Sequence, residues 1–263
     1  MFIGLLFLVL INVPIAIALG VVTTLAMYAT QGAEILPNLA LIMMDGATNF
    51  PLIAIPLFIL AGAIMNASGI SRRLIAFASA LLGFIKGGLS MVTIGASMFF
   101  AEISGSAVAD VAALGSILIP AMKEKGYPTP FATAVTSSSA TLAVIIPPSI
   151  PMILYAVMSQ SSVVQLFVAG IIPGILGGFG MMGLSYWFAR RHNYPVEEVF
   201  RLSRLWETFK DALLAFTLPI IILGGIFGGF VTATEGAGLA VMASLVIGIV
   251  YRELDLKHLK EAM

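Results

Sequence analysis

Long stretches of apolar residues constrain the fold of this chain more than any other feature of its sequence. A helix needs about 20 apolar residues, at a rise of 1.5 Å each, to cross a ~30 Å hydrocarbon core. Five stretches lie near this length: 2–29, 52–68, 164–189, 213–231 and 237–251, with an interrupted sixth at 131–158. Of the 263 residues, 60% are hydrophobic and only 10% are charged. The sequence therefore predicts an all-α polytopic membrane protein.

Charged residues give the orientation. The 13 Lys and Arg residues balance the 13 Asp and Glu residues, so nothing indicates a nucleic-acid partner. The positive-inside rule assigns the ends that carry basic residues to the cytoplasm. These residues are Arg72, Arg73, Lys86, Lys123, Lys125, Arg190, Arg191, Arg201, Arg204, Lys210 and Arg252. The connections 31–49, 159–165 and 232–236 contain no Lys or Arg and are placed outside, which leaves the N-terminus in the cytoplasm.

Residues 90–122 are predicted to enter the membrane and return. Lys86 and Lys123 would otherwise lie on opposite sides, against the charge pattern. We expect a re-entrant helical hairpin with arms of about 12 to 16 residues, too short to cross, and a Ser104-Gly105-Ser106 turn. Polar groups at that depth usually line an ion or substrate site, because lipid cannot satisfy them. The alternative is one long helix with a harmless glycine, which would place Lys125 outside.

A second irregular place follows the Thr- and Ser-rich run 136–141. Pro147, Pro148 and Pro151 lack an amide hydrogen and clash with the preceding turn, which predicts a helix broken in mid-membrane. Freed carbonyls and the Ser149 hydroxyl would suit a hard cation such as sodium. The half-helix that starts after Pro148 would present unpaired N–H groups and a positive dipole end to an anion. Secondary transporters build midplane sites from such discontinuous helices.

Each candidate residue also has an ordinary structural explanation. Hydroxyls in apolar helices usually bond to their own helix, so the cluster around Ser138 and Thr141 is more informative than its members. Asp110 is either a helix cap in the first turn of the second arm or an ion or proton ligand. Glu102 has the same alternatives and a third, contact with a neighbouring subunit. Glu235, at a helix start, is expected to be a cap.

Several motifs, in one order, resemble the large membrane subunit of tripartite ATP-independent periplasmic (TRAP) transporters, the DctM family. They are Ile103-Ser104-Gly105-Ser106-Ala107-Val108-Ala109-Asp110, Lys125-Gly126-Tyr127, Ile145-Ile146-Pro147-Pro148-Ser149, Pro56-Leu57-Phe58-Ile59-Leu60-Ala61-Gly62, and the stretch 224–236. The resemblance covers nearly the whole chain. It implies a sodium-driven importer of organic anions, such as dicarboxylates, sialic acids or other sugar acids, in the bacterial inner membrane.

The resemblance also implies an elevator-type ion-transporter fold of two inverted repeats, each with a hairpin and a broken helix. The corresponding ranges would be scaffold helices at 1–70, an amphipathic cytoplasmic arm at 71–88, the re-entrant hairpin at 89–126, the broken helix at 127–160, a transmembrane helix at 161–190, a cytoplasmic loop at 191–212 and the start of the second repeat at 213–263. The family's large subunit is much longer, so we expect a fragment or truncated reading frame that lacks half of the transport site.

Carried over by position, Ser104, Gly105 and Ser106 would form the hairpin tip, and Pro147, Pro148 and Ser149 the break. Together they would hold one sodium ion, with Ser104, Ser106 and Ser149 as its ligands, and part of the substrate site. Asp110, Ser138 and Thr141 complete the predicted ion and substrate residues. Sodium would be the coupling ion, without another cofactor. The implied partners are a small four-helix membrane subunit like DctQ, a periplasmic binding protein like DctP, an organic anion and the lipid bilayer.

Other functional classes fit the sequence less well. The sequence contains no GxxxxGK[ST] motif, which is the loop that would indicate nucleotide binding. An intramembrane serine protease needs a base beside its serine, whereas His192 and His258 both fall in predicted cytoplasmic segments. An aspartyl protease needs two facing acids, for which Glu102 and Asp110 are weak candidates. A scaffold or channel subunit would need no ion-binding break. The predicted function is a transporter permease subunit and not an enzyme.

Overall fold

The computed structural model describes residues 1–197 and 199–254, and within them every side chain except those of Leu36, Glu102, Ile103, Ser104 and Ala109. Residues 255–263, which include His258 and close the range predicted as the start of the second repeat, lie outside the described residues. The described part is all-α and contains no strand, as the apolar pattern predicts. The helices are α1 Phe2–Leu10, α2 Ile15–Gln31, α3 Ile35–Ala47, α4 Ala54–Ala67, α5 Ile70–Leu82, α6 Gly88–Ser104, α7 Ala107–Glu124, α8 Thr129–Ala140, α9 Ile150–Ser159, α10 Val163–Arg191, α11 Leu202–Phe227 and α12 Ala233–Tyr251.

Residues 1–49 form one compact unit of three helices, α1 to α3. The sequence predicts one span over 2–29, but the structure divides it between Leu10 and Ile15. Asn12 has a positive φ of 65° and Pro14 is the N-cap of α2, so the chain turns here instead of kinking. The reason is that a proline disfavours helical geometry in the residue before it. Helix α3 occupies most of 31–49, which the sequence analysis treats as a connection.

Residues from Phe50 onward form the second unit. Its core contains α4, α5, α11 and α12, with Phe58, Ile70, Leu218 and Ile222 all at most 1% exposed. Helix α12 packs closely along α4 through small residues, since a side chain on Gly248 would meet the Ser68 Cβ at 2.8 Å. Such contacts are typical of helices that associate in lipid.

Four helices among the described residues are long and apolar enough to cross a membrane: Phe50–Ala67, Val163–Arg191, Leu202–Phe227 and Ala233–Tyr251. The first combines a 3₁₀ turn at Phe50–Ile53 with α4. Helix α11 begins at Leu202, within the range 191–212 that the sequence analysis takes as a loop. Residues 202–212 contain neither Gly nor Pro and are rich in helix-forming Leu, Arg, Glu and Lys, although their charges lower the hydropathy.

Helices α6 and α7 form a hairpin. Gly105 adopts the left-handed conformation, with φ of 57°, between the end of α6 and the start of α7, and the two helices pack against each other. Glycine suits this position because it has no Cβ to oppose a positive φ. The arms have 17 and 18 residues, more than the 12 to 16 expected. The chain reverses at Gly105, so the single interrupted helix is excluded, while membrane re-entry stays a prediction.

The Pro-rich segment separates α8 from α9. Helix α8 continues into a 3₁₀ turn at Thr141–Val144, and α9 begins only at Ile150. The intervening residues lie against α10, where side chains at Gly170 and Gly174 would collide with the Ile145 carbonyl oxygen and the Ile146 side chain. Glycines on α10 therefore let this irregular backbone approach closely.

Candidate ion and substrate site

The hairpin tip meets the break between α8 and α9. The Gly105 carbonyl accepts a hydrogen bond from the Ile150 backbone N–H at 3.3 Å. A Cβ on Gly105 would lie 2.8 Å from the Pro148 carbonyl oxygen and 3.3 Å from the Ile150 nitrogen. The structure thus brings together the two motifs that the sequence singles out separately, and only a residue without a side chain fits at their contact.

The Ser149 hydroxyl is part of the break itself. Ser149 is fully buried, and its Oγ donates to the Val144 carbonyl at 2.7 Å and accepts from the Met152 N–H at 3.5 Å. It is therefore the N-cap of α9, an ordinary structural role for serine. A hydroxyl has two acceptor lone pairs, so a second one is still available to a cation. The predicted sodium contact of Ser149 stays a prediction.

The start of α9 differs from the expectation of unpaired N–H groups. Ile150 donates to Gly105, Pro151 has no amide hydrogen, and Met152 donates to Ser149. Ile153 bonds to the Ser149 carbonyl at 3.2 Å. The first donors of this helix are therefore already paired with the tip and the cap, and only the helix dipole remains to favour an anion here.

The Asp110 and Ser106 side chains near the hairpin tip differ in how deeply they are buried in the protein. Asp110 is 1% exposed in the first turn of α7, and its backbone N–H donates to the Ser106 carbonyl at 3.0 Å. Ser106 is half-buried and lines a cavity beside α7. The side chains of Ser104 and Glu102 lie outside the described residues. A buried carboxylate near a half-buried hydroxyl is an arrangement that can serve a cation.

Ser138 and Thr141 follow the ordinary structural explanation. Both are exposed, and the Thr141 hydroxyl donates to the Ser138 carbonyl at 2.6 Å within its own helical segment. Ser138 faces an apolar cavity whose wall includes Phe131 and Phe188. Their predicted place in the ion site stays a prediction that these contacts do not support.

Two buried serine pairs were missed by the sequence analysis. The Ser97 and Ser139 Oγ atoms lie 2.8 Å apart and join α6 to α8, while Ser185 donates to Ser90 at 2.7 Å and joins α10 to α6. All four residues are at most 4% exposed. Residues 90 and 97 are seven apart and share one helix face. That spacing was a usable signal, but only the packing identifies the partners.

The cap predicted at Glu235 is confirmed. Glu235 and Thr232 form a capping box at the start of α12, in which the Thr232 Oγ1 accepts from the Glu235 N–H and the Glu235 carboxylate accepts from the Thr232 N–H. This arrangement satisfies donors at a helix start without any ligand. Glu235 is therefore explained structurally.

Comparison with known proteins gives the family. Residues 2–263 match the model of the DctM component of the tripartite ATP-independent periplasmic transporter. The chain is 44% identical over 247 residues to the isethionate TRAP transporter permease protein DctMQ of Oleidesulfovibrio alaskensis, covering 93% of this chain and 39% of that protein. It is 40% identical to the 2,3-diketo-L-gulonate TRAP transporter large permease protein YiaN of Escherichia coli, covering 93% and 57% respectively.

A third relative, the C4-dicarboxylate TRAP transporter large permease protein DctM of Pseudomonas aeruginosa, is 40% identical over 84% of this chain and 52% of its own length. The chain thus spans between 39% and 57% of the length of these three relatives. The family and these relatives are transport permeases and not enzymes, which removes the protease alternatives. This chain belongs to the DctM family of TRAP transporters, the large membrane subunit, and is a multi-pass membrane protein.

Proposed function

We propose that this chain is the membrane permease part of a sodium-driven importer of organic anions in the bacterial inner membrane, with its N-terminus in the cytoplasm. Its partners would be a small membrane subunit and a periplasmic protein that delivers the anion. Relatives named for isethionate, 2,3-diketo-L-gulonate, sialic acid and C4-dicarboxylates support this substrate class. The single observation that carries the proposal is the contact between Gly105 and Ile150, which places the tip against the break.

Sodium binding would be coupled to anion binding because the cation would order the oxygen groups of the tip and the break. Oxygen atoms are the ligands that hard cations prefer, and the tip and break contribute the Ser106 and Ser149 hydroxyls and main-chain carbonyls. Bound sodium would hold the tip against the break, so the anion would then meet a completed site. A ligand shifts an equilibrium only by its differential affinity for the two states. Ordering by sodium therefore makes anion binding depend on sodium.

The ion gradient supplies enough energy for accumulation. A tenfold sodium gradient supplies about 1.4 kcal/mol per ion. A membrane potential of about 100 mV adds roughly 2.3 kcal/mol per charge. A pair of ions would therefore support strong accumulation of the anion.

The test is sodium-dependent uptake by the transporter that contains this chain, expressed together with its small membrane subunit and its binding protein. Radiolabelled succinate, isethionate and N-acetylneuraminate serve as probes. We expect Ser106→Ala and Ser149→Ala to raise the sodium concentration for half-maximal uptake at unchanged membrane levels. Thr133→Ala is the control, because that exposed hydroxyl bonds to the Thr129 carbonyl of its own helix. Uptake without any sodium dependence in the parent would support a scaffold or channel subunit, whereas unaltered sodium dependence in both serine variants would remove these hydroxyls from the sodium site.

A further inference from the structure

A cavity of about 750 Å³ lies between α4, the start of α5 and α7. Its wall runs from Ser106 at the hairpin tip to Arg72 on α5, and its other polar residues are Asn66, Ser71 and Ser116. Along α7 the wall continues to Ile117, which at 1.5 Å per residue corresponds to about 16 Å. One cavity thus connects the predicted ion site with the helix that carries the basic pair Arg72 and Arg73.

Within the part of the chain that the structure describes, Arg72 is the cationic residue that lines this wall. Its side chain is 75% exposed, and its Nη2 lies 2.7 Å from the Glu253 Oε2. A guanidinium matches the geometry of a carboxylate or sulfonate because it can donate two parallel hydrogen bonds. Beside it, the Ser71 hydroxyl donates to the Asn66 Oδ1 at 2.6 Å, which orients an amide whose nitrogen is a further donor.

Glu253 does not depend on Arg72 for a partner. Its Oε1 also lies 2.8 Å from the Arg73 Nη2, and Arg73 is only 16% exposed. Arg73 is fixed by several further contacts, namely the Asp211 carboxylate at 3.3 Å, the Gly69 carbonyl at 3.2 Å and the Tyr251 ring, 3.8 Å from its guanidinium carbon. Arg72 can therefore leave Glu253 without leaving that carboxylate unpaired.

We propose that Arg72 is an anion-binding residue of this cavity, which exchanges Glu253 for the carboxylate or sulfonate of the transported molecule. The exchange is feasible because exposed ion pairs between solvated groups contribute little. The charges of Arg72, Arg73, Glu253 and Asp211 cancel, so the anion is bound by replacing a partner and not by a net positive field. The inference rests on the proposed function, since it assigns one residue to recognition of the same anion.

The absence of cysteine from the chain permits a direct test. Ser116→Cys places one thiol on the cavity wall, and its modification rate is measured in membranes with an anionic sulfonatoethyl and a cationic trimethylammonium methanethiosulfonate. We expect Arg72→Gln to lower the ratio of anionic to cationic rates by roughly threefold or more, because removal of one unit charge within about 12 Å in water acts with opposite sign on the two probes. Arg72→Lys should keep most of the ratio, and Glu253→Gln should raise it. Ser203→Cys, exposed at the start of α11, is the control whose ratio should not respond.

Protection by the anion separates this inference from the proposed function. Succinate or isethionate should slow modification of the thiol introduced by Ser116→Cys with Arg72 present and not with Arg72→Gln, in neutral phosphatidylcholine vesicles. An unchanged rate ratio in Arg72→Gln would overturn the inference, even where uptake remains sodium-dependent. A ratio that falls only in vesicles with phosphatidylglycerol would also overturn it, since lipid headgroups would then be the ligand. Charge-selective modification and protection without sodium-dependent uptake would support Arg72 while refuting the proposed function.

Discussion

The two ends of the α6–α7 hairpin are held in different ways. At the tip, a main-chain hydrogen bond from the Ile150 N–H to the Gly105 carbonyl joins the hairpin to the break. At the base, Tyr127 is 2% exposed and its ring lies 4.7 Å from that of Tyr194. There Lys125 also pairs with the Glu197 carboxylate at 3.2 Å. Side chains and an ion pair therefore secure the base, whereas the hydrogen bond described between the tip and the break joins two main-chain atoms.

This difference indicates which end can respond to a ligand. Two main-chain hydrogen bonds also join the base to the loop after α10. The Gly87 N–H donates to the Pro195 carbonyl and the Glu197 N–H donates to the Gly83 carbonyl, both at 3.1 Å. Opening the base would break several contacts at once, whereas the main-chain hydrogen bond between the tip and the break is neutral and contributes only about 0.5–1.5 kcal/mol. We therefore expect the base to act as the fixed end and the tip as the part whose position sodium controls.

The largest effect on stability is expected for Tyr127→Ala. Removing a buried aromatic side chain costs about 3–5 kcal/mol, because the cavity left behind refills only partly. The thermal midpoint of the purified protein in detergent measures the loss. Tyr127→Phe should lose far less, since it keeps the ring that packs against Phe131 and Tyr194. Equal losses in both variants would show that the hydroxyl, and not ring packing, secures the base.

The second effect is expected for Gly105→Ala, at the tip. A non-glycine residue in the left-handed conformation costs about 1–2 kcal/mol, and here the added Cβ would also press on the Pro148 carbonyl oxygen. We expect lost stability and a higher sodium requirement for uptake. Gly126→Ala is the matched control, because Gly126 also has a positive φ, of 85°, but nothing within 4 Å of an added Cβ. The same sodium requirement in both variants would contradict a role for the tip contact.

A smaller effect is expected for Lys125→Ala at the base. The Glu197 side chain is only 8% exposed. Removal of its lysine partner therefore leaves a nearly buried carboxylate without this cation, which is unfavourable. Because Lys125 itself is 56% exposed, we expect a loss of about 1 kcal/mol, near the upper end for surface pairs. Combining it with Glu197→Gln in a double-mutant cycle measures the coupling by chemical or thermal unfolding. Strict additivity would mean that the pair does not stabilise the base.

The smallest effect concerns pH and the arm. The Arg73 hydrogen bond, with the charges of Arg73 and Arg72, lowers the Glu253 pKa, while burial opposes the shift. A depressed pKa in the folded state means that stability is present above the pKa of the unfolded chain and is lost as pH falls through the folded-state value. The difference in thermal midpoint between the parent and Glu253→Gln should therefore shrink on acidification. A difference in thermal midpoint that stays constant as the pH falls through the Glu253 pKa would show that the carboxylate charge contributes nothing to stability.

Local chemistry made much of the fold predictable. The hairpin turn and the helix break are encoded by residues with strong backbone preferences, Gly105 and the pair Pro147 and Pro148, and the structure has irregular backbone at both. The apolar runs likewise predicted the all-α class. The division of the first run was harder, because Pro14 within an apolar segment fits a kink as well as a turn, and the positive φ of Asn12 decides between them.

The partners of polar residues were not predictable, because they depend on helix packing. Ser97 meets Ser139 across α6 and α8, and Arg72 meets Glu253 from the other end of the unit's sequence. The role of Ser149 as a cap depends on where α9 begins, which the prolines constrain only to within a few residues. Sequence thus indicated where the backbone is irregular, and the structure showed which side chains are already occupied there.

The main-chain contact between tip and break also bears on how substrate preference can change. The hydrogen bond from the Ile150 N–H to the Gly105 carbonyl uses main-chain atoms, and the close approach of the Pro148 carbonyl oxygen requires a glycine at position 105. Neighbouring residues can therefore be exchanged without undoing the docking of the two segments. A main-chain junction of this kind would let the side chains of the surrounding walls, and with them the preference for one organic anion over another, change while the contact between tip and break is kept.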